Sequence, residues 1–276
     1  MNFALYLCSA TFRFFFILLI SSSFIFFSCK EDDEKKIYQE VVWSDEFDGS
    51  SIDATKWSFQ LGGGGWGNSE LQYYTDRPEN AKVENDRLTI TARFEPNYNG
   101  TGSNYTSARI RTKGNADWKY GRMEASIKLP SAQAVWPAFW MLPNTGSWPH
   151  TGEIDIMEAS NANPVEWNGT IHYFCTPCGN HQYTGVSKTF SNPLSDGFHQ
   201  YAVEWEPEVI RWYVDGEYMG SQSPSTTMGN TWPFDTSDNF HFLLNVAVGG
   251  TYPGQSPVST HYPVSMEVDY VKVYKR

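Results

Sequence analysis

Cysteine is scarce. The 276-residue chain has four, of which Cys8 lies in an apolar leader and Cys29 at its end. The remaining two, Cys175 and Cys178, form a Cys-x-x-Cys pair in a Gly/Pro-rich loop. In an exported protein this is most simply a local disulfide. A redox motif would want a strand-to-helix context, which is missing here. A zinc site would need two further ligands, for which His172 and His181 are near in sequence. Long helical patterns are absent, as are internal repeats of fixed period and any linker dividing the mature chain, so one domain built from strands is expected. Basic residues are also few: 20 Lys and Arg stand against 31 Asp and Glu, a net charge of −11. That balance argues against a nucleic-acid partner. It also disfavours a heavily sulfated polysaccharide, unless a local basic groove overrides the average; a neutral ligand is the easier fit.

The first stretch reads as a targeting segment. Arg13 precedes an apolar run, residues 14–27, too short to span a membrane comfortably. The run ends at Ser28-Cys29. A small residue followed by Cys predicts a lipoprotein signal over 1–28, with Cys29 as the lipidated N-terminus. Phe26 and Phe27 match the usual lipobox poorly, so ordinary cleavage near Ser28 or an uncleaved anchor stays open. Lys30-Glu31-Asp32-Asp33-Glu34 opens an acidic, solvated tether over 29–40. It resembles the export tag of surface lipoproteins in some Gram-negative bacteria. Loss of 1–28 removes Arg13 and takes the charge from −11 to −12 (−11 minus +1). The expected product is an exported monomer on the outer membrane, cell-surface or periplasm-facing, held to the membrane only through a lipid on Cys29.

What the chain has in quantity is aromatic side chains: 11 Trp, 16 Tyr and 18 Phe. Short runs rich in β-branched and aromatic residues recur between Gly, Pro and Asn clusters, at 87–92, 122–129, 199–205, 209–214, 240–246 and 266–274. That rhythm predicts an all-β sandwich or barrel. Met123, Ala125, Ile127 and Leu129 alternate with Glu124, Ser126 and Lys128, the pattern of a half-buried antiparallel strand.

The densest chemistry is GEIDIME, residues 152–158. Glu153, Asp155 and Glu158 sit among Ile154, Ile156 and Met157, which read as a buried strand. Strand side chains alternate in direction, so Glu153 and Asp155 share a face and Glu158 falls on the other. One β-bulge near Ile156 or Met157 brings all three to one side. A row of buried acids is electrostatically costly and is tolerated mainly where acids do chemistry. Two carboxyls roughly 5–5.5 Å apart suit retaining glycoside hydrolysis, and an acid between them can orient one and raise the pKa of the other. The competing readings are an exposed acidic strand and a cation site of three carboxylates. Just upstream is AVWPAFWMLP, residues 134–143. Trp136 and Trp140 share one strand face. With Ala138, Phe139, Met141 and Leu142 assigned to the core, both indoles are left for a groove, where sugar C–H faces stack on them.

These motifs together resemble glycoside hydrolase family 16, in its laminarinase-like branch. WSDEF (43–47), WGNSELQYYT (66–75), SARIRTK (107–113), YGRM (120–123), NVAVGG (245–250) and VDYVKVY (268–274) resemble further family segments in the right order. The similarity covers residues 41–276. It implies a β-jelly roll of two stacked, curved antiparallel sheets with a sugar-binding cleft. It also implies endo-acting hydrolysis with retention, in which Glu153 corresponds to the nucleophile, Asp155 to the assisting acid and Glu158 to the acid/base. Met157 matches the extra residue of the bulged members, which tend to act on β-1,3-glucans or galactans.

Further groove candidates are Asn68 and Glu70 after the Gly-rich stretch 62–67, and Arg109, to orient a substrate group or make a structural ion pair. His172 matches a position near the acid/base, and Asn245 one facing the cleft. The resemblance also implies a structural Ca2+ on the convex side, with Glu46 and Asp269 as ligands, and no cofactor for catalysis. The Cys pair departs from the family pattern near the leaving-group subsites. The expected substrate is a β-1,3-glucan such as laminarin, with mixed-linkage glucan as a further one. The alternatives are an agar- or carrageenan-type β-galactan, or a glycan-binding surface lipoprotein without turnover.

Overall fold

A computed structural model describes residues 38–161 and 164–276. The leader, Cys29 and residues 30–37 of the tether lie outside the described residues. The tether expected over 29–40 ends earlier than that boundary: the Tyr38 hydroxyl donates to Glu206 Oε1 at 3.1 Å, and Glu40 already opens the first strand.

In chain order the strands are β1 (Glu40–Asp45), β2 (Ser58–Phe59), β3 (Gln72–Tyr74), β4 (Ala81–Val83), β5 (Leu88–Phe94), β6 (Tyr105–Ser107), β7 (Arg109–Arg111), β8 (Gly121–Lys128), β9 (Val135–Pro143), β10 (Glu153–Glu158), β11 (Glu166–Cys175), β12 (Asn180–Thr189), β13 (His199–Glu206), β14 (Val209–Val214), β15 (Glu217–Gln222), β16 (Phe240–Val248) and β17 (Val264–Lys275). Among the described residues helix is confined to short 3-10 turns. One sheet runs β12-β11-β10-β9-β16-β7-β2; the other runs β15-β14-β13-β8-β17-β5-β6-β3, with β1 on β17 and β4 on β5. Pairing is antiparallel except between β3 and β6. This is the jelly-roll sandwich, and each run singled out by β-branched and aromatic content is a strand.

The core lies between the sheets. Phe139, Met141, Ile154, Ile156 and Met157 meet Met123, Ile127, Val203, Trp205 and Trp212, all fully buried. Burial of such side chains stabilises by roughly 1.5–3 kcal/mol each. The β8 alternation is real but is not half-solvated. Glu124 on its outer face is 4% exposed, because Arg122, Gln200 and Tyr270 cover it and donate to its carboxylate. β9 corrects the sequence assignment of Ala138 and Leu142 to the core. Strict alternation puts them on the Trp136/Trp140 face: Ala138 stands opposite Asn245 and Glu158, and Leu142 lines a pocket beside the acids.

Candidate active site

The acids come together through the bulge expected in β10. Asp155 pairs with Trp140 and Met157 with Phe139, so one extra residue is accommodated on β10 between two consecutive β9 positions. The β11 register says the same, with Asp155 opposite Thr170 and Glu158 opposite Asn168. Ile156 and Met157 both turn into the core, and Glu158 joins Glu153 and Asp155 on the open face.

A bulge disturbs the regular ladder and leaves carbonyls to be satisfied from elsewhere. Two core tryptophans supply the donors: Trp212 Nε1 to the Asp155 carbonyl at 2.8 Å and Trp167 Nε1 to the Ile156 carbonyl at 3.2 Å. Gly169 makes room for this. A Cβ there would come within 2.3 Å of the Trp212 ring and 2.9 Å of Trp167. Gly169→Ala is therefore expected to push Trp212 off the bulge, at a cost of about 1–3 kcal/mol by overpacking. A fall in Tm accompanied by lost activity in the remaining folded protein checks it. Unchanged turnover would separate the bulge from its tryptophan support.

Each outer acid takes an indole N–H. Trp148 Nε1 donates to Glu153 Oε2 at 2.6 Å and Trp136 Nε1 to Glu158 Oε1 at 3.0 Å. Asp155 lies between them, 3% exposed. His172 stands opposite Glu153, and its Nε2 is 3.2 Å from Asp155 Oδ2, near enough for an ion pair but off the line of a formed hydrogen bond. Asn168 is the direct cross-strand neighbour of Glu158, while the charge of His172 acts on Glu158 as well as on Glu153.

Burial is the first reason all three carboxyls hold their protons above the ordinary range. Glu153 is pushed up to about 8 by burial and then by the Asp155 charge. Glu158 is pushed up to about 7 by burial, with the Glu153 charge adding and His172 opposing. Asp155 is raised well above its usual value by burial and the Glu158 charge. The row therefore does not carry three charges near neutrality. The Trp148 N–H on Glu153 opposes part of the rise there, because a donor to the carboxylate favours its ionised form.

The same shifts set a stability trend. Both outer carboxyls ionise later in the folded state than in the unfolded one. The folded state thus binds extra protons from the ordinary carboxylate range up to about 8, and stability falls as pH rises through that window. Glu158→Gln is expected to match the wild type near pH 4 and to exceed it by about 1–3 kcal/mol near pH 9. Denaturant melts at the two pH values check this; an equal gain at both would refute the ionisation argument.

The remaining predicted residues fall into place unevenly. Trp136 and Trp140 do face the cleft, each partly occupied. Tyr252 lies 5.0 Å from Trp136, and the Arg109 guanidinium 4.6 Å from Trp140. Arg109 makes no ion pair among the described residues. It is sandwiched between Trp140 and Trp66 (4.8 Å), with Nε donating to Gln60 Oε1 at 2.6 Å. Asn245 accepts from Trp140 Nε1 at 2.8 Å and donates to the Tyr74 hydroxyl at 3.1 Å, so it orients the indole. Asn68 donates to Glu70, which is buried and also accepts from Gln72 and Tyr74; Glu70 thus braces the loop. Gly250, at φ +90°, lets that loop close: its Cβ position is 3.0 Å from the Asn68 carbonyl and 3.4 Å from Trp136.

Glu46 and Asp269 are apart from this cleft. Lys272 Nζ is 3.1 Å from Glu46 Oε1, and Arg87 Nε is 3.9 Å from Asp269 Oδ1. Each carboxylate already faces a cation of the chain, so this donor set does not fit a dication without displacing both, and no step is derived through one. The one three-residue group with metal-ligand spacing among the described residues is Glu153, Asp155 and His172, with ligand atoms within 4.8 Å of one another. Its Glu153 oxygen already accepts the Trp148 N–H, which weighs against a carboxylate cation site.

Two residues were missed. Trp148, 53% exposed, is the most accessible tryptophan at the acids; its signal was a Trp-Pro in a loop five residues before Glu153. His181 was weighed only as a zinc ligand. Cys175 and Cys178 are joined by a disulfide at the β11–β12 turn, which removes the thiolates a Cys₂His₂ site needs. His181 Nε2 instead lies 2.9 Å from His172 Nδ1, and its ring is 4.7 Å from Trp148. The stapled hairpin thus forms one wall of the cleft.

The family model for the GH16 domain of β-porphyranases A–D matches residues 39–276. This chain belongs to glycoside hydrolase family 16. A β-glucanase of Rhodothermus marinus is 45% identical over 258 residues, 87% of each chain. A glucan endo-1,3-β-glucosidase of Cryptopygus antarcticus is 37% identical over 83% of this chain and 90% of its own. The X-ray structure of the Rhodothermus marinus laminarinase superposes with a TM-score of 0.76 and 43% identity, covering 86% of this chain and 97% of that one.

Proposed function

We propose that the protein is an endo-acting, retaining hydrolase of β-1,3-glucan, with mixed-linkage β-glucan as a second substrate. The observation that carries the chemistry is the bulged row that puts three carboxyls on one open face, each outer acid under an indole donor. The glucan comes from the likeness to glucanases and laminarinases.

In this reading Glu153 attacks the anomeric carbon while protonated Glu158 gives its proton to the departing oxygen. Glu158, now the base, takes a proton from water, which releases the sugar from Glu153. Asp155, hydrogen-bonded to Glu153, fixes its rotamer and limits the charge in the row. Trp136 and Trp140 flank the sugar. No metal enters the cycle. We place the enzyme outside the cytoplasm, anchored through Cys29 and acting as a monomer. Labelled-fatty-acid incorporation that disappears in Cys29→Ser supports the anchor; incorporation unchanged by the substitution refutes it.

Reducing-sugar release from laminarin, mixed-linkage glucan, agarose and κ-carrageenan tests the substrate. Release from laminarin supports the glucanase reading. Release from a galactan alone favours the second reading, a β-galactan hydrolase, which the β-porphyranase description of the matching family model supports. Glycan binding without release from any of the four leaves a binding protein.

A further inference from the structure

Arg109, Arg111 and Lys113 recur at every second position from β7 onward. Arg109 and Arg111 stand opposite Asn245 and Leu243 of β16, and Leu243 in turn stands opposite Trp140, which puts the row on the cleft face. Among the described residues no carboxylate lies within ion-pair distance of any of the three, although Arg77, Arg122, Arg211, Lys56, Lys82 and Lys272 all have one. Arg111 Nε is buried with no hydrogen-bond partner among the described residues. A buried donor left unsatisfied costs about 1–3 kcal/mol, and more when charged. The neighbouring His241 registers the field: its imidazole is pushed down to about 3, by burial and then by the charges of Lys113, Arg111 and Arg109. Asp117 opposes them but is taken up by the amides of Asn144 and Asn239.

Arg111, Lys113 and His241 line a pocket of about 180 Å³. A water occupies about 30 Å³ in the liquid, so there is room for an oxyanion with part of its hydration. Trp148 and Gly152 form another wall. Trp148 is also the donor to Glu153, so the pocket lies directly beside the proposed nucleophile.

We propose that this pocket receives an oxyanion, a sulfate ester or a uronate carboxylate, carried by the glycan close to the bond that is cleaved. The guanidinium fork of Arg111 matches two oxygens of either group, and Lys113 adds a second, mobile charge. The row is the local basic groove that lets a chain of net charge −11 accept a charged glycan against its average field. The position of the anion along the substrate rests on the hydrolase reading; the anion site itself does not.

The test compares wild type, Arg111→Gln and the solvent-exposed Lys113→Ala on laminarin, partially O-sulfated laminarin and C6-oxidised laminarin, with thermal melts in sodium sulfate against sodium chloride at equal ionic strength. The expected result is a ratio of kcat/KM, charged over neutral glycan, that falls about 10- to 100-fold in Arg111→Gln and less in Lys113→Ala. The glycan that shows the fall identifies sulfate or carboxylate. Ratios equal in all three proteins overturn the proposal, as does sulfate protection of the wild type without any charged-glycan preference, which would mean a free-anion site only. If no glycan is cleaved, the hydrolase reading fails on its own. The anion site then stands if sodium sulfate raises the wild-type Tm but not that of Arg111→Gln, and falls if it raises neither.

Discussion

Glu153→Gln is expected to lower turnover of laminarin by a factor on the order of 10⁴ to 10⁶ while the folded protein still binds glucan. The amide keeps the shape of the side chain and can still face the Trp148 N–H through its carbonyl oxygen, so the cleft stays intact. It lacks the negative charge that must approach the anomeric carbon. Loss of a buried, proton-hungry carboxyl should also leave the fold no less stable, because ionising Glu153 in place is unfavourable. Laminari-oligosaccharide binding by calorimetry, beside single-turnover kinetics, checks both halves. Near-normal turnover would remove Glu153 from the nucleophile's place and return the three acids to the cation-site reading.

Glu158→Ala is expected to cost about 10²- to 10⁴-fold on laminarin, the usual weight of general acid–base help. The loss should shrink for an activated aryl β-glucoside, whose leaving group departs without a proton. Sodium azide should then restore turnover, because a small anion fits the space vacated beneath Trp136 and attacks the glycosyl-enzyme in place of base-activated water. The product would be the β-azide, since the attack follows one inversion at Glu153. Azide rescue of Glu153→Ala, which does vacate the nucleophile's space, would instead give the α-azide. Formation of α-azide from Glu158→Ala would exchange the roles of the two glutamates and overturn the assignment.

The strand rhythm between Gly, Pro and Asn clusters was enough for the sandwich, because apolar alternation alone decides which face of a strand can be buried. Face-counting on GEIDIME was enough for the bulge: two apolar residues in succession, Ile156 and Met157, can both enter the core only if one extra residue is inserted. The same counting, applied less strictly, misplaced Ala138 and Leu142, where hydrophobicity was allowed to override alternation. His172 could be placed near the acids from the motif, but its nearest contact, Asp155 Oδ2 at 3.2 Å, follows from the β10–β11 register.

The sequence by itself determined the class of fold, the position and number of the acids, and the aromatic character of the cleft, because periodicity and residue type are local properties of the chain. Only the tertiary structure decided what each side chain faces. Trp148 reaches Glu153 from a loop, and Trp212 reaches the bulge from the opposite sheet. Arg109 lies between two indoles from separate segments, and among the described residues Arg111 and Lys113 have no carboxylate within ion-pair distance. Apart from the Trp148 loop, these contacts join residues far apart in sequence, and the energy of a charge depends on the dielectric and partners that packing assembles around it, neither of which is written in its neighbours along the chain.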